Sequence, residues 1–189
     1  MQSDEELVEE IKNGSQAAME VLVKKHYNNI FAYMYRKLGD YHLAYDMTQE
    51  VFIKMMKYIQ DYKGQGQFKH WLITIAVNHC RDYYRSSTYK KRNEEQVLAP
   101  HLKDEKENVW DLISKKIESE KVKEAVQQLP DFQKDPIILK FYHDLKIKEI
   151  AVITESNESS VKSRLKQGTE KLRKILIGGN QGEKKRERK

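Results

Sequence analysis

Apolar residues recur at steps of three and four along most of the chain, a spacing that predicts helices rather than strands. Residues 15–38 place Ala18, Val21, Leu22, Ile30, Phe31, Met34 and Leu38 at helical intervals. Gly39 and Asp40 then read as a C-terminal stop followed by a new N-cap. The next helix carries Ala44, Met47, Val51, Phe52, Met55 and Ile59. A loop with two glycines, residues 61–67 (DYKGQGQ), leads to a third helix with Phe68, Trp71, Leu72, Ile75, Ala76 and His79 on one face. From about Ser86 to Asn108 the periodicity fades into polar residues of mixed charge with Pro100 among them, which reads as a flexible linker. Helical spacing resumes at Val109, Leu112 and Ile113 and continues at Val122, Val126 and Leu129. Leu129-Pro130-Asp131 breaks it, with Asp131 a candidate N-cap for a helix over 132–143. A short helix over 146–153, a polar turn and a longer helix over 158–176 follow. The closing GGNQGEKKRERK is expected to be disordered.

Composition narrows the class. With 189 residues the chain can hold one ordinary domain or two small ones, and only 3 Pro and 8 Gly leave an all-α fold as the expectation. Cys80 is the single cysteine, so neither an intrachain disulfide nor a cysteine-based zinc site can form. The N-terminus, MQSDEELVEE, is acidic and has no apolar signal core. No apolar run approaches the roughly 20 residues that span a bilayer, so a cytoplasmic protein without membrane insertion is expected.

The net charge of +6 is distributed in blocks. Residues 61–92 hold seven basic and two acidic side chains, residues 136–177 nine and five, and the tail 178–189 five and two. Residues 1–60 and 93–135 are net negative. Separated positive blocks suit two contacts with one polyanion.

Residues 146–176 have the lengths of a helix-turn-helix, a short helix followed by a longer one. Ile147, Ile150, Ala151, Ile153, Val161, Leu165, Leu172 and Ile175 would pack inward. The opposite side of the second helix offers Ser159, Ser160, Lys162, Ser163, Lys166 and Gln167, flanked by Arg164 and Arg173. Such a helix fits the major groove, where Lys, Arg and Gln read base edges and hydroxyls reach phosphates.

The N-terminal half has two further polar stripes. Asp46, Gln49 and Glu50 fall at i, i+3 and i+4 on the second helix. On the third, Thr74, Asn78, Arg81, Asp82 and Arg85 lie opposite the apolar stripe, preceded by Tyr62, Lys63, Gln65 and Gln67 in the loop. Aromatic, amide and basic groups together suit single-stranded DNA, through stacking, edge reading and phosphate tracking. Phe68 and Trp71 are read as core.

With both halves assembled, the chain resembles the extracytoplasmic-function (ECF) sigma factors of the sigma-70 family. Three segments carry the resemblance: Asp46-Met47-Thr48-Gln49-Glu50-Val51-Phe52; Phe68-Lys69-His70-Trp71-Leu72 through Ile75-Ala76-Val77-Asn78; and Leu129-Pro130 with Glu149-Ile150-Ala151, Ser160-Val161-Lys162-Ser163-Arg164-Leu165 and Lys171-Leu172-Arg173. The resemblance implies a region 2 helical bundle at 1–88, a linker at 89–107, a region 4 helix-turn-helix domain at 108–177 and a basic tail at 178–189. It implies that Asp46, Gln49 and Glu50 bind core RNA polymerase. Tyr62, Lys63, Gln65, Gln67, Asn78, Arg81 and Arg85 would take the −10 element. Ser159, Ser160, Lys162, Ser163, Arg164, Lys166 and Gln167 would read the −35 element. Promoter DNA, core polymerase and an anti-sigma factor are the implied partners. No cofactor, metal or catalytic residue is expected.

The chain departs from the family at the turn, where an apolar residue, a glycine and another apolar residue are usual. Here Thr154, Glu155 and Ser156 stand in those places, and Glu155 is expected to strain or reshape the turn. Two other readings compete. A stand-alone helix-turn-helix regulator explains residues 146–176 but gives no role to the Asp46–Phe52 face or the Asn78 stripe. An enzyme finds little support, because the six histidines are scattered and no phosphate loop or nucleophile motif is present.

Overall fold

The computed structural model describes residues 2–64, 67–86 and 120–186, the last nine as backbone alone. These residues form eight α-helices: α1 Asp4–Lys12, α2 Gln16–Leu38, α3 Tyr41–Tyr58, α4 Phe68–Arg85, α5 Glu120–Gln127, α6 Asp131–Phe141, α7 Ile147–Ile153 and α8 Glu158–Arg186. No strand occurs among them. They divide into two helical domains, α1–α4 and α5–α8. The expected linker at 89–107 and the periodicity at 109–113 lie outside the described residues.

Local sequence sets the helix ends. Ser3 caps α1, accepting from the Glu6 amide while the Glu6 carboxylate accepts from the Ser3 amide, a capping box. Ser15 and Asp40 cap α2 and α3 by the side chain alone, accepting from the Ala18 and Leu43 amides. Gly39 ends α2 in the left-handed conformation, φ 78°. The capping box of α1 was legible as Ser-x-x-Glu, although apolar periodicity alone passed over this short helix.

The N-terminal core gathers Leu7 and Val8 from α1, Leu22, Ile30 and Met34 from α2, Val51 and Met55 from α3, and Phe68, Leu72 and Ala76 from α4. In the C-terminal domain, α6 and α8 approach closely at Gly168. A Cβ there would sit 3.0 Å from Cγ1 of the buried Ile137. A glycine in mid-helix is unfavourable by itself, but here it admits the neighbouring helix.

The two domains pack onto each other, an arrangement the sequence did not disclose. Lys37, at the end of α2, is 3% exposed. Its ammonium lies 3.0 Å from Asp135 and 3.4 Å from Asp131, both on α6. Burial alone would depress its pKa, but the charges of Asp135 and Asp131 outweigh burial and hold the ammonium above the usual lysine range. The buried Tyr33 hydroxyl donates to Asp135 at 2.9 Å. Lys123 of α5 donates to Tyr35, Gln127 to the Arg36 carbonyl, and the Arg36 guanidinium lies 4.1 Å over the Tyr142 ring.

Two expectations are revised. Asp131 is the first residue of α6 rather than its N-cap, a place taken by Pro130, whose carbonyl accepts from Gln133 and Lys134. Its carboxylate is thereby left to face Lys37. The backbone of α8 continues to Arg186, through most of the tail expected to be disordered. No proline interrupts it.

Gly168→Ala should destabilise the protein by about 1 kcal/mol, because overpacking against Ile137 exceeds the roughly 1 kcal/mol gain in helix propensity. Urea unfolding measures this, and a stabilised variant would show that Ile137 yields freely.

His143 supplies a pH test. It is buried, its ring edge-on to Tyr33, and neither ring nitrogen has a hydrogen-bond partner among the described residues. Burial, then the charges of Lys69 and Arg36, push its pKa down to about 4. The folded state therefore keeps it neutral where the unfolded chain takes up a proton, so this group removes stability as pH falls from 6.5 towards 4. Between pH 6.5 and 5.0 the loss attributable to His143 should be about 1.5 kcal/mol. The urea midpoint of His143→Leu should fall correspondingly less over that interval, and equal falls would contradict the assignment.

Candidate nucleic-acid interface

The helix-turn-helix is α7, the turn 154–157 and α8. The N–H of Glu155 bonds to the Val152 carbonyl, and that of Ser156 to the Ala151 carbonyl. This paired pattern requires a left-handed residue at the first position past the cap, normally glycine. Glu155 takes it with φ 50°. The strain expected from the sequence is present, and the turn keeps its geometry rather than reshaping. Asn157 caps α8, its side-chain carbonyl accepting from the Ser160 amide at 2.7 Å and from the Ser159 hydroxyl at 2.8 Å. Val161 is fully buried and locks α8 to the domain.

The side chains predicted to read duplex DNA fall into two groups. Ser159, Lys162, Ser163, Lys166 and Gln167 are exposed on α8, while Ser160 and Arg164 are half-buried. Arg164 donates to the Ser156 hydroxyl at 2.9 Å and so braces the turn. Gln167 bridges to Gln133 of α6 and to Ser163.

In the N-terminal domain, Tyr62 is buried, its ring 5.0 Å from Trp71 and 5.6 Å from Phe68. Phe68 is core, as read from the sequence, and Trp71 packs against that core. The Tyr62 ring thus anchors the loop, while Lys63 and Gln67 are exposed and Gln65 lies outside the described residues. On α4, Arg81 donates to the Asn78 side chain at 3.1 Å, and Arg85 is exposed one turn on.

Asp46, Gln49 and Glu50 share an exposed face of α3. The Glu50 carboxylate lies 3.0 Å from Nε2 of His79, without hydrogen-bond alignment. Lys54 contacts Nδ1 of the same ring at 2.8 Å. Burial, then the Lys54 charge, depress the His79 pKa, so the ring is neutral at pH 7. Ile53 and Met56 continue this face at 57% and 45% exposure. Sequence reasoning passed over both, though their place off the apolar stripe of α3 was the available signal.

A bundle of four helices packed on a helix-turn-helix domain is the architecture of a two-domain DNA-binding protein of the transcription class. Family comparison agrees: residues 22–89 match Sigma-70 region 2 and residues 119–172 match Sigma-70, region 4. The chain belongs to the ECF branch of the sigma-70 family. It is 27% identical to the RNA polymerase sigma-H factor of Pseudomonas aeruginosa, over 93% of this chain and 94% of that one. To the ECF RNA polymerase sigma factor SigW of Bacillus subtilis it is 29% identical, over 89% and 94%. The fold is similar to that of RpoE of Bartonella quintana, solved with the anti-sigma factor NepR (TM-score 0.66, 18% identity, 84% of this chain and 96% of that one). It is also similar to CnrH, solved with the cytosolic domain of CnrY (TM-score 0.64, 19% identity, 94% and 99%). The family consists of transcription initiation factors rather than enzymes. Among the described residues, no helix is long and apolar enough to cross a membrane.

Glu155→Gly should raise stability by about 0.5–1 kcal/mol, because relief of left-handed strain exceeds the added unfolded-state entropy. Thermal unfolding tests this, and a lowered midpoint would mean that the Glu155 side chain contributes more than its backbone takes away.

Proposed function

We propose that this chain binds core RNA polymerase and directs it to promoters, with the N-terminal domain capturing melted −10 bases and the C-terminal domain reading −35 duplex DNA. The observation that carries this reading is the pairing, in one chain, of two faces suited to different forms of DNA. Exposed Ser159, Lys162, Ser163 and Lys166 on α8 suit duplex base edges and phosphates. Asn78, Arg81 and Arg85 on α4, with Lys63 and Gln67 before it, suit a single strand. Melting takes a few kcal/mol per unstacked step, and holding the exposed bases on a ready surface offsets that. The polymerase performs the phosphodiester chemistry.

The stripe of Asp46, Gln49 and Glu50, extended by Ile53 and Met56, is the proposed polymerase-binding face. Apolar residues exposed beside acidic ones form a patch of the kind that marks protein interfaces. An anti-sigma factor is the proposed regulator, since RpoE, which shares this fold, was solved with the anti-sigma factor NepR. The site of action is proposed to be the cytoplasm, where polymerase is.

Run-off transcription with core polymerase on sheared genomic DNA tests the proposal. Transcripts with defined starts should appear only when the chain is added, and their absence alongside tight duplex binding by the chain alone would favour the helix-turn-helix regulator. Ile53→Asp should leave stability within about 0.5 kcal/mol, as expected for an exposed position. It should weaken core binding at least about tenfold, as for loss of an interface anchor, and unchanged binding would remove α3 from the interface. Arg85→Ala should reduce the slope of log affinity against log salt for the polymerase–promoter complex by about 1.

A further inference from the structure

The family match begins at residue 22, so it gives α1 no role. Yet α1 reaches the start of the loop that precedes α4. Leu7, Val8 and Ile11 bury its apolar side in the N-terminal core. Its first residue, Asp4, faces two side chains of α2: the Lys25 ammonium at 2.8 Å and Nε2 of His26 at 3.0 Å. The His26 ring in turn lies 5.2 Å from that of Phe68. Its last residue, Lys12, donates to the Tyr62 carbonyl at 2.6 Å, across 50 residues of chain. The helix is therefore fixed on α2 at one end and on the loop at the other.

Tyr62 is where the backbone leaves regular structure. Its amide closes the 3-10 turn Ile59–Asp61 by donating to the Ile59 carbonyl, and its φ of −66° and ψ of 119° then extend the chain. The carbonyl at a helix C-cap lacks a donor from its own helix, and the Lys12 ammonium supplies one. A charged donor makes the stronger kind of hydrogen bond. The other end of the same residue also faces α1. The Tyr62 ring packs against Phe68 and Trp71, and its hydroxyl is buried without a hydrogen-bond partner among the described residues. Burial raises the hydroxyl pKa, the nearby Gln67 backbone works against the rise, and the charges of Glu5 and Asp4 add to it. Both ends of Tyr62 thus meet α1, and its hydroxyl lies near Gln67, where the loop enters α4.

We propose that Lys12 is a positioning residue for strand capture: through the Tyr62 carbonyl it sets where Lys63 begins, and so how Lys63 and Gln67 meet the melted bases. This rests on the reading of Lys63 and Gln67 as −10 contacts. Lys12 itself does not touch DNA. A segment that starts from a fixed carbonyl loses less freedom on capturing a base than one that starts from a moving carbonyl, and that saving appears as affinity.

Two readouts test the contact and its use separately. In the full chain carrying Trp110→Phe, Trp71 is the only tryptophan, 5.0 Å from the Tyr62 ring. Lys12→Met should free that ring, increase acrylamide quenching of Trp71 and shift its emission to the red. With core polymerase, Lys12→Met should weaken binding of a labelled single strand spanning the −10 region of a promoter mapped by its transcripts, about tenfold. Lys12→Arg, which keeps a single charged donor, should return both readouts towards the parent's. The slope of log affinity against log salt should stay at the parent's value, and a slope smaller by about 1 would place Lys12 on a phosphate and overturn the proposal. If Lys12→Met does not fold, Lys12→Gln, polar but shorter, carries the same predictions. Unchanged Trp71 emission and quenching overturns the proposal, whether or not strand binding falls. A moved Trp71 with unchanged strand binding also overturns it, by removing Lys63 and Gln67 from the strand. If no transcript maps a promoter, the underlying reading fails and the positioning role with it, while Trp71 still reports the contact.

Discussion

A buried lysine ammonium between two aspartates of another domain organises this molecule. An uncompensated charge in a protein interior is unfavourable by several kcal/mol, so Lys37 tolerates burial only while Asp131 and Asp135 face it. The cluster fixes which end of α6 meets which end of α2. Once that is set, Tyr142 falls beneath Arg36, His143 against Tyr33, and the turn after α7 beside Arg81. Cys80 and Met34 fill the volume behind, their sulfurs 3.2 Å apart, and burial pushes the thiol well above its ordinary range, so Cys80 serves as packing and not as a nucleophile.

The helices themselves were legible because each rule acts within a few residues. Apolar spacing, Ser15 and Asp40 as caps and Gly39 as a stop placed α2, α3 and their junction, and the family motifs placed the two domains. What was not legible is long-range. Nothing near Lys37 in the chain announces that its partners lie more than ninety residues away. Tyr62 reads as a loop aromatic available for stacking, and only the packing of Phe68 and Trp71 around it places its ring inside. Ile53 and Met56 were visible as apolar residues out of phase with the α3 core, but phase alone does not say what covers them.

The turn of the helix-turn-helix shows the two levels in conflict. Local propensity asks for glycine where Glu155 stands, yet the paired hydrogen bonds to Ala151 and Val152 hold the left-handed conformation. The departure is the same residue whose carboxylate reaches Arg81 of the other domain. A sequence-level anomaly and an inter-domain contact therefore have one origin.

The most direct measurement is permanganate reactivity of thymines on a promoter mapped by its transcripts, with core polymerase and this chain together and each alone. If the chain lends polymerase both its promoter address and its hold on the melted strand, reactive thymines will appear upstream of the start site only when both are present. Thymines that stay unreactive with both, while the chain alone protects the same duplex from cleavage, would contradict the account and leave an ordinary duplex-binding regulator.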